Sequence, residues 1–401
     1  MTYTAGRAYL AIPGPSAMPE RVLQAMHRGA PNIYEGELIE MTRTVIADLK
    51  RVAMTSGHVA IYIANGHGAW EAAIANMFSR GDRALVASTG RFGAGWADAA
   101  QRMGVAVEMI DFGKSAVADP ARIAEALAAD RAHAIRAVLI SHVDTASSAR
   151  NDIAAIRRAI DEAGHPAMLA VDAIASLACD ELRMDEWKID VLVGASQKGL
   201  MVPPGLGLVW FSPKAMAASA KAGLVTPYWD WKQRAAGEEF YHLFGGTAPT
   251  HHLYGLREAL TMILEEEGLP KVWARHERLA SAVWAAFDAW GREGGIGLNM
   301  QHPSGRGRSV TAARIPGGGA GRLRRWVESE AGLTLGIGLG MAAPGEPAYQ
   351  DFLRVAHMGD VNAHMTLGAL AAMEAGMKAL GIPHGRGALD AAAEAVAAPS
   401  G

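Results

Sequence analysis

Short apolar runs alternate with amphipathic helical patterns between Ile61 and Phe211. The runs are rich in Val, Ile and Leu and predict strands at Ala84–Ala87, Val105–Ile110, Arg136–Ser141, Met168–Val171, Asp190–Val193 and Leu206–Trp210. Between them the periodicity predicts helices at Ala69–Phe78, Phe92–Arg102, Pro120–Ala129 and Asp152–Glu162. In the last of these helices, Ile153, Ile156 and Ile160 share one face. Strands that alternate with helices indicate a mostly parallel sheet covered on both sides.

The pattern changes after about Glu267, where the glycine-rich pieces Gly291–Gly297 and Gly317–Gly321 separate helical segments. We therefore predict an α/β fold with a large domain, built on the mostly parallel sheet, and a smaller C-terminal α+β domain. The predicted divisions are an N-terminal arm at 1–16, the large domain at 17–266 and the small domain at 267–401. We expect the alanine-rich end, Ala388–Gly401, to be frayed.

Composition excludes several classes of protein. Half of the 401 residues are hydrophobic and a fifth are charged, which is typical of a globular protein, and the net charge of -3 leaves no basic footprint for nucleic acid. The chain contains one cysteine, Cys179, in an apolar context that favours a buried structural thiol over a nucleophile. No targeting segment and no run of ~18 apolar residues is visible, so we expect a cytoplasmic protein without a membrane span.

A glycine-bearing turn follows the first apolar run. Asn65-Gly66-His67-Gly68 comes directly after Ile61–Ile63 and before a helical pattern. Such a turn offers free backbone N–H groups and the positive end of a helix dipole, which suits a phosphate. A plain βα turn explains this segment equally well when it is taken alone.

Three further polar segments end predicted strands, at the edge where open α/β sheets bind ligands. Asp172 closes Met168–Val171, and a protonated pyridine nitrogen is one partner for a carboxylate there; a helix cap or a salt bridge is the alternative. Lys198 follows Asp190–Val193, and its amine suits a Schiff base if burial lowers its pKa; a solvated lysine is the alternative. Thr145 follows Arg136–Ser141 as a hydrogen-bond donor, with His142 and Asp144 explained as packing and loop residues.

Along the chain, the glycine-bearing turn comes first, Asp172 second and Lys198 third. In this order the segments resemble those of the class V aminotransferases, which are pyridoxal-phosphate (PLP) enzymes of fold type I. The resemblance runs from Pro13–Ser16 to His357–Asp360 and is closest to the serine–glyoxylate and alanine–glyoxylate aminotransferases. The segments that carry it are Asn65–Glu71, Val171–Ala173, Arg183–Trp187, Gly194–Lys198, Pro203–Gly205 and Leu256–Glu258. The resemblance implies PLP as cofactor and involves no metal ion.

The resemblance also implies roles for individual residues. Lys198 is the Schiff-base lysine and the acid/base of the proton shift, and Asp172 is the partner of the pyridine nitrogen. The remaining cofactor contacts are the turn Asn65, Gly66 and His67 together with Gln197 at the phosphate, Phe92 stacked on the ring, Thr145 at the ring oxygen, and Thr247 at the phosphate of the neighbouring subunit. The role of Thr247 implies a homodimer with shared active sites.

The substrate-binding part of the pattern is only partly present. Arg354 matches the arginine that binds the substrate carboxylate, for which a planar guanidinium is well suited. Relatives usually carry Asp-His-Arg in an early loop where this chain has Asn32–Glu35, so Tyr34 and Glu35 become candidates for a different contact. Relatives carry Thr-Gly or Ser-Thr-Gly where this chain has Ala146–Ser148, and an aromatic residue or proline where it has Gly245-Gly246.

The expected activity is the transfer of an amino group from serine, alanine or aspartate to a 2-oxo acid such as glyoxylate or pyruvate, with ping-pong kinetics. Three alternatives stay open: a transaminase with an unusual amine donor, similar to pyridoxamine–pyruvate aminotransferase; a carbon–sulfur lyase, which needs a catalytic cysteine; and a non-catalytic cofactor-binding protein. The sequence does not identify the donor and acceptor, the pathway, or whether the protein is a dimer or a tetramer.

Overall fold

The computed structural model describes residues 4–398 and divides their strands between two sheets. The strands are β1 (Tyr9–Ala11), β2 (His58–Ala64), β3 (Arg83–Ser88), β4 (Ala106–Asp111), β5 (Ile135–Ser141), β6 (Met168–Asp172), β7 (Val191–Ala195), β8 (Gly205–Phe211), β9 (Gly297–Leu298), β10 (Val310–Arg314), β11 (Leu333–Ile337) and β12 (Phe352–Ala356).

Helices surround both sheets. They are α1 (Glu20–Met26), α2 (Glu37–Ala53), α3 (Gly66–Met77), α4 (Arg91–Arg102), α5 (Pro120–Ala129), α6 (Ile153–Glu162), α7 (Pro213–Ser219), α8 (Trp231–Ala236), α9 (Thr250–Thr261), α10 (Leu269–Trp290), α11 (Gly319–Ala331), α12 (Ala363–Ala379) and α13 (Ala388–Ala397). Short 3-10 turns lie at Phe240–Phe244, Pro303–Gly305 and Pro347–Gln350, and a π turn at Met262–Glu267 continues α9. In the described range 4–398, no helix combines the length and apolar character needed to cross a membrane.

The larger sheet has seven strands in the order β2-β8-β7-β6-β5-β3-β4 and is parallel except for β8, which confirms the mostly parallel α/β prediction. Its central strands are buried along their whole length, as expected where helices cover both faces. Along β5, Val138 and Ile140 join one hydrophobic core and Leu139 joins the core on the opposite face. The predicted apolar face of α6 packs into the first of these cores through Ile153, Ile156 and Ile160.

The second sheet has the order β1-β11-β12-β10-β9. The segment predicted as an N-terminal arm includes β1, which pairs in parallel with β11, while β10, β11 and β12 pair antiparallel. A separate hydrophobic core fills the space between this sheet and helices α10 to α13. The prediction of a frayed alanine-rich end was wrong for residues 388–397, because Ala388 and Ala392 are buried where α13 packs on α10.

The carboxyl ends of β5, β6 and β7 lie side by side and position the site. Ser141 at the end of β5 is the register partner of Asp172 at the end of β6, and Asp172 also pairs with Val193 in β7. The loop that carries Lys198 leaves the end of β7. Residues that are distant in sequence therefore converge at one edge, as parallel strands require.

Candidate active site

Seven of the nine residues predicted to bind a cofactor line one cavity at this edge, with a volume of about 190 Å³. They are Gly66, His67, Phe92, Thr145, Asp172, Gln197 and Lys198. The other two do not line it: Asn65 lies just before α3, and Thr247 is exposed. The wall is completed by five residues to which the sequence analysis gave no role at the site, although all but Ile174 lie in segments that carry the family resemblance: Gly14, Pro15, Trp70, Ile174 and Pro204.

Lys198 is 8% exposed and its pKa falls from 10.5 to about 8. Burial is the main cause, since it penalises the charged ammonium, and the positive charge of Arg354 adds to it. The Lys198 Nζ donates a hydrogen bond to the backbone oxygen of Pro13. The lowered pKa increases the fraction of unprotonated amine near neutral pH, which suits a nucleophile or a proton carrier.

The N-terminal segment holds the Lys198 loop in place. Ser16 donates from Oγ to the oxygen of Lys198 at 2.8 Å, and its backbone N–H donates to the oxygen of Gln197 at 3.0 Å. A Cβ at Gly14, which has φ of +99°, would lie 2.5 Å from Lys198 Nζ, so a side chain there has no room. The motif Pro13–Ser16 was the available sequence signal, but its contact with Lys198 depends on the fold.

Asp172 is 3% exposed, and burial raises its pKa from 3.8 to about 7. Its Oδ1 accepts the backbone N–H of Ile174 at 2.8 Å, which favours the ionised form, while the charge of Asp144 opposes ionisation. A cation placed in the cavity beside Asp172 would relieve the cost of burying this carboxylate.

The predicted phosphate turn begins α3. Asn65 caps the helix, with its Oδ1 accepting the N–H groups of His67 at 3.0 Å and Gly68 at 3.3 Å. Gly66 is close to Ile174, because a Cβ at Gly66 would lie 2.4 Å from Ile174 Cδ1. Glycine thus lets the helix N-terminus, with its positive dipole end, approach the cavity.

Asp144 organises the other side of the cavity. This buried carboxylate accepts the N–H groups of Phe92 at 2.8 Å and Gly93 at 3.3 Å at the start of α4. It also accepts the N–H groups of Ala146 at 2.9 Å and Ser147 at 3.2 Å. Asp144 thus fixes both the backbone at the start of α4, which carries Phe92, and the loop after Thr145. The sequence analysis gave Asp144 no more than a loop role.

Arg354 lies in β12 and is 6% exposed. Its Nε donates to the oxygen of Ile337 at 2.7 Å and its Nη1 donates to the oxygen of Thr145 at 3.0 Å. Burial lowers its pKa to about 10, which leaves it cationic at neutral pH. Arg354 does not line the cavity itself, but it is one hydrogen bond away from Thr145, which does.

Tyr34 and Thr247 lie apart from this cavity, and the thiol of Cys179 is unreactive. Tyr34 is 86% exposed, in a turn where its N–H donates to Asn32 Oδ1 at 2.9 Å, and Thr247 is also exposed. Cys179 is fully buried, and burial raises its pKa to about 12, so its thiol stays protonated at neutral pH. That environment suits a structural thiol and not the exposed nucleophile of a carbon–sulfur lyase.

Comparison with known proteins identifies the family. The family model for aminotransferase class V matches residues 8–318. The chain belongs to the class V aminotransferases.

Individual relatives of this class V aminotransferase are similar over almost their full length. It is 38% identical to the serine–glyoxylate aminotransferase of Methylorubrum extorquens, over 92% of this chain and 90% of the relative. It is also 38% identical to the L-aspartate–glyoxylate aminotransferase of Paracoccus denitrificans, over 96% and 94%. Among solved structures, pyridoxamine–pyruvate aminotransferase from Mesorhizobium loti is 25% identical and superposes with a TM-score of 0.87 over 99% of both chains.

Proposed function

We propose that this aminotransferase uses PLP bound at Lys198 to move an amino group from a small amino acid to a 2-oxo acid such as glyoxylate. The observation that carries the proposal is the cavity shared by Lys198 and Asp172. In it, burial lowers the pKa of the amine and raises the pKa of the carboxyl. Pairs of titratable groups whose pKa values are displaced by a shared site are typical of proton-transfer catalysis.

The residues of the cavity fit PLP. Asp172 offers a buried carboxylate to a cationic ring nitrogen, and the α3 N-terminus offers a positive dipole to the phosphate. Within residues 4–398, the buried Oε1 of Gln197 has no hydrogen-bond partner, so it is available to a bound group. Phe92, half-buried in the cavity wall, offers a ring face for stacking.

PLP supplies an electron sink that stabilises the carbanion formed when an amino acid loses its α-proton. The chain supplies the rest. The Lys198 amine would accept the proton that leaves the α-carbon of the substrate and, as the ammonium, would donate it again within the site. Asp172 would hold a protonated ring nitrogen through its buried carboxylate. Proton transfer by a positioned group contributes about 10²–10⁴-fold, so loss of the Lys198 amine removes most of the turnover.

Arg354 binds the carboxylate of the substrate in this proposal. Its two backbone acceptors, the oxygens of Ile337 and Thr145, fix the direction of the guanidinium before substrate arrives. A fixed, buried guanidinium pairs well with a carboxylate, because little side-chain entropy is lost on binding.

The proposed donors are serine, alanine and aspartate, and the proposed acceptor is glyoxylate. The relatives named serine–glyoxylate and L-aspartate–glyoxylate aminotransferase are each 38% identical, and the alanine–glyoxylate aminotransferase of Drosophila melanogaster is 30% identical over 70% of this chain. A second candidate is pyridoxamine as donor with pyruvate as acceptor. The similarity to the Mesorhizobium loti structure and the altered segment Asn32–Glu35 favour it.

We also propose a homodimer, in which the exposed Tyr34 and Thr247 reach the active site of the other subunit, and a cytoplasmic location. Their exposure supports the first point, since neither residue lines the cavity of its own chain. The buried thiol of the chain's one cysteine suits the reducing cytoplasm.

Steady-state assays of purified protein test the proposal. Serine, alanine, aspartate and pyridoxamine are each paired with glyoxylate and with pyruvate, and Lys198→Ala serves as the inactive control. Turnover of an amino acid with glyoxylate, abolished in the control, is the expected result. Turnover with pyridoxamine alone would replace the primary function by the second candidate, and no turnover with any pair would refute both.

A further inference from the structure

The loop after Thr145 is attached to β10 of the second sheet, and to the segment just before it, by hydrogen bonds between residues more than 150 positions apart in sequence. The oxygen of Ser148 accepts the N–H of Gly307 at 2.9 Å, and the N–H of Arg150 donates to the oxygen of Gly305 at 2.8 Å. Between these contacts, the Oγ of Ser148 accepts the N–H of Ala312 at 3.1 Å. The loop Thr145–Arg150 therefore belongs to the cavity at one end and to the second sheet at the other.

The contact between Ser148 and Ala312 leads directly to Arg354. Ala312 lies in β10, and its register partner across the β10–β12 ladder is Arg354. Arg354 in turn donates from Nη1 to the oxygen of Thr145, at the start of the same loop. The contacts form a closed ring, from Ser148 to Ala312, across the sheet to Arg354, and back to Thr145.

Ser148 adopts an unfavourable backbone conformation to make its contact. Its φ is +60°, in the left-handed region that favours glycine, and it is 3% exposed. The resembling family carries a glycine-containing sequence after the Thr145 position, where this chain has Ala146–Ser148. A serine at this position keeps a hydroxyl that glycine lacks, and that hydroxyl satisfies the buried N–H of Ala312.

We propose that Ser148 is a positioning residue that sets the direction of Arg354 and thereby the affinity for the substrate carboxylate. The inference rests on the proposed function of Arg354 as the carboxylate-binding residue. Without the Ser148 hydroxyl, the N–H of Ala312 is buried without an acceptor, and the loop moves away from β10 to let water reach it. The oxygen of Thr145 then moves with the loop, and Arg354 loses one of its two backbone acceptors.

The test compares Ser148→Ala and Ser148→Gly with Ser309→Ala. Ser309 is also fully buried and adjoins β10, but among the described residues its Oγ has no hydrogen-bond partner, so its loss removes a hydroxyl without breaking a contact. Ser148→Gly fits the positive φ and guards against a variant that fails to fold. KM and kcat are measured with serine and glyoxylate, alongside the melting temperature.

We expect both Ser148 variants to raise KM for serine and for glyoxylate about 10-fold with kcat within about twofold, because a lost carboxylate contact weakens ground state and transition state alike. Ser309→Ala is expected to leave KM unchanged. Equal KM values in Ser148→Ala, Ser148→Gly and the control would overturn the proposal. So would a loss of melting temperature in the Ser148 variants without any rise in KM.

A second readout needs no turnover. The rate at which phenylglyoxal modifies Arg354 is followed in the apoprotein by peptide mass spectrometry. A guanidinium released from the oxygen of Thr145 should react roughly 10-fold faster in Ser148→Ala and at the wild-type rate in Ser309→Ala. If wild-type protein transaminates neither substrate, the proposed function fails, while an unchanged rate in Ser148→Ala separately refutes the role of Ser148.

Discussion

Burial acts on Lys198 and Asp172 in opposite directions. Desolvation penalises whichever form of a group is charged, so it lowers the pKa of the amine to about 8 and raises the pKa of the carboxyl to about 7. Both shifts bring the groups toward neutral pH, where proton transfer by either is efficient. The two residues that the sequence order singled out therefore lie in an environment that favours the proton-transfer chemistry proposed for them.

The reactivity of Lys198 tests its pKa directly. Only the unprotonated amine reacts with acetic anhydride, so acetylation of Lys198 in the apoprotein should reach half of its maximal rate near pH 8. Below that pH the ammonium is protonated and protected. The measurement is competitive labelling across pH, with peptide mass spectrometry at Lys198 and at the exposed Lys188. A half-point for Lys198 near its ordinary value of 10.5 would contradict the burial argument.

Replacing Asp172 by Asn tests its role toward the cofactor. The amide keeps the shape of the side chain but loses the charge that would pair with a cationic ring nitrogen. Hydrogen bonds to charged groups contribute about 1.5–3 kcal/mol, so PLP should bind the Asp172→Asn apoprotein roughly 10- to 100-fold more weakly at pH 8. Fluorescence titration of apoprotein with PLP measures this affinity. Unchanged affinity would mean that Asp172 is only a structural carboxylate.

The sequence was sufficient to nominate residues but not all of their contacts. Asp172, Lys198 and the turn at Gly66 follow buried strands, and parallel strands bring their carboxyl ends together, so their shared cavity was predictable. The bond from Lys198 to the Pro13 oxygen and the bond from Arg354 to the Thr145 oxygen join segments 185 and 209 residues apart. No local pattern encodes such distances, which depend on how the two sheets pack.

At the scale of elements, the residues at the helix ends explain where the predicted and observed helix bounds agree or differ. The periodicity predicts a helix from Ala69, whereas α3 begins at Gly66, because the Asn65 side chain caps the turn and extends the helix toward the cavity. For α5 the predicted and observed bounds, Pro120–Ala129, coincide, since Asp119 caps it and proline occupies its first turn. The helix α13 was missed because its buried positions, Ala388 and Ala392, are alanines that the sequence does not distinguish from exposed neighbours such as Ala393.

The cap at Asn65 links helix stability to cofactor binding. Asn65→Ala removes the acceptor of two N–H groups and should lower the free energy of unfolding by about 1 kcal/mol. PLP affinity should fall about fivefold, because the phosphate turn loses its fixed shape. Asp152→Ala is the matched control, since Asp152 caps α6 at a distance from the cavity through the N–H of Ala155. Denaturant unfolding should show similar losses in both variants, with weaker PLP binding only in Asn65→Ala. Weaker binding in both variants would point to general destabilisation.

At the scale of the whole molecule, the proposed active site combines both sheets. Asp172 ends β6 and Lys198 follows β7 in the larger sheet, and Arg354 lies in β12 of the second sheet. Their relative position depends on contacts such as the one between Arg354 and the Thr145 oxygen. If Arg354 binds the substrate carboxylate as proposed, substrate affinity depends on the packing between the sheets, which a local sequence pattern does not encode.

A mixed dimer tests whether active sites are shared between subunits. When Lys198→Ala and Thr247→Ala chains with different tags are co-expressed, a site built across the interface gives one doubly altered and one intact site in each mixed dimer. Purified mixed dimers should then have about half of the wild-type activity, although each parent dimer is impaired. Sedimentation should show twice the chain mass of 42.2 kDa. Mixed dimers no more active than the average of the two parents would place Thr247 in the site of its own chain.

The absorbance spectrum of the purified protein, recorded before and after each candidate donor, tests the central claim most directly. We predict a visible band from PLP bound at Lys198 that bleaches with serine, alanine or aspartate and returns when glyoxylate is added, and that is absent from Lys198→Ala. A band that no amino acid bleaches would contradict the proposed donors. No band after PLP has been supplied would contradict the role of Lys198 itself.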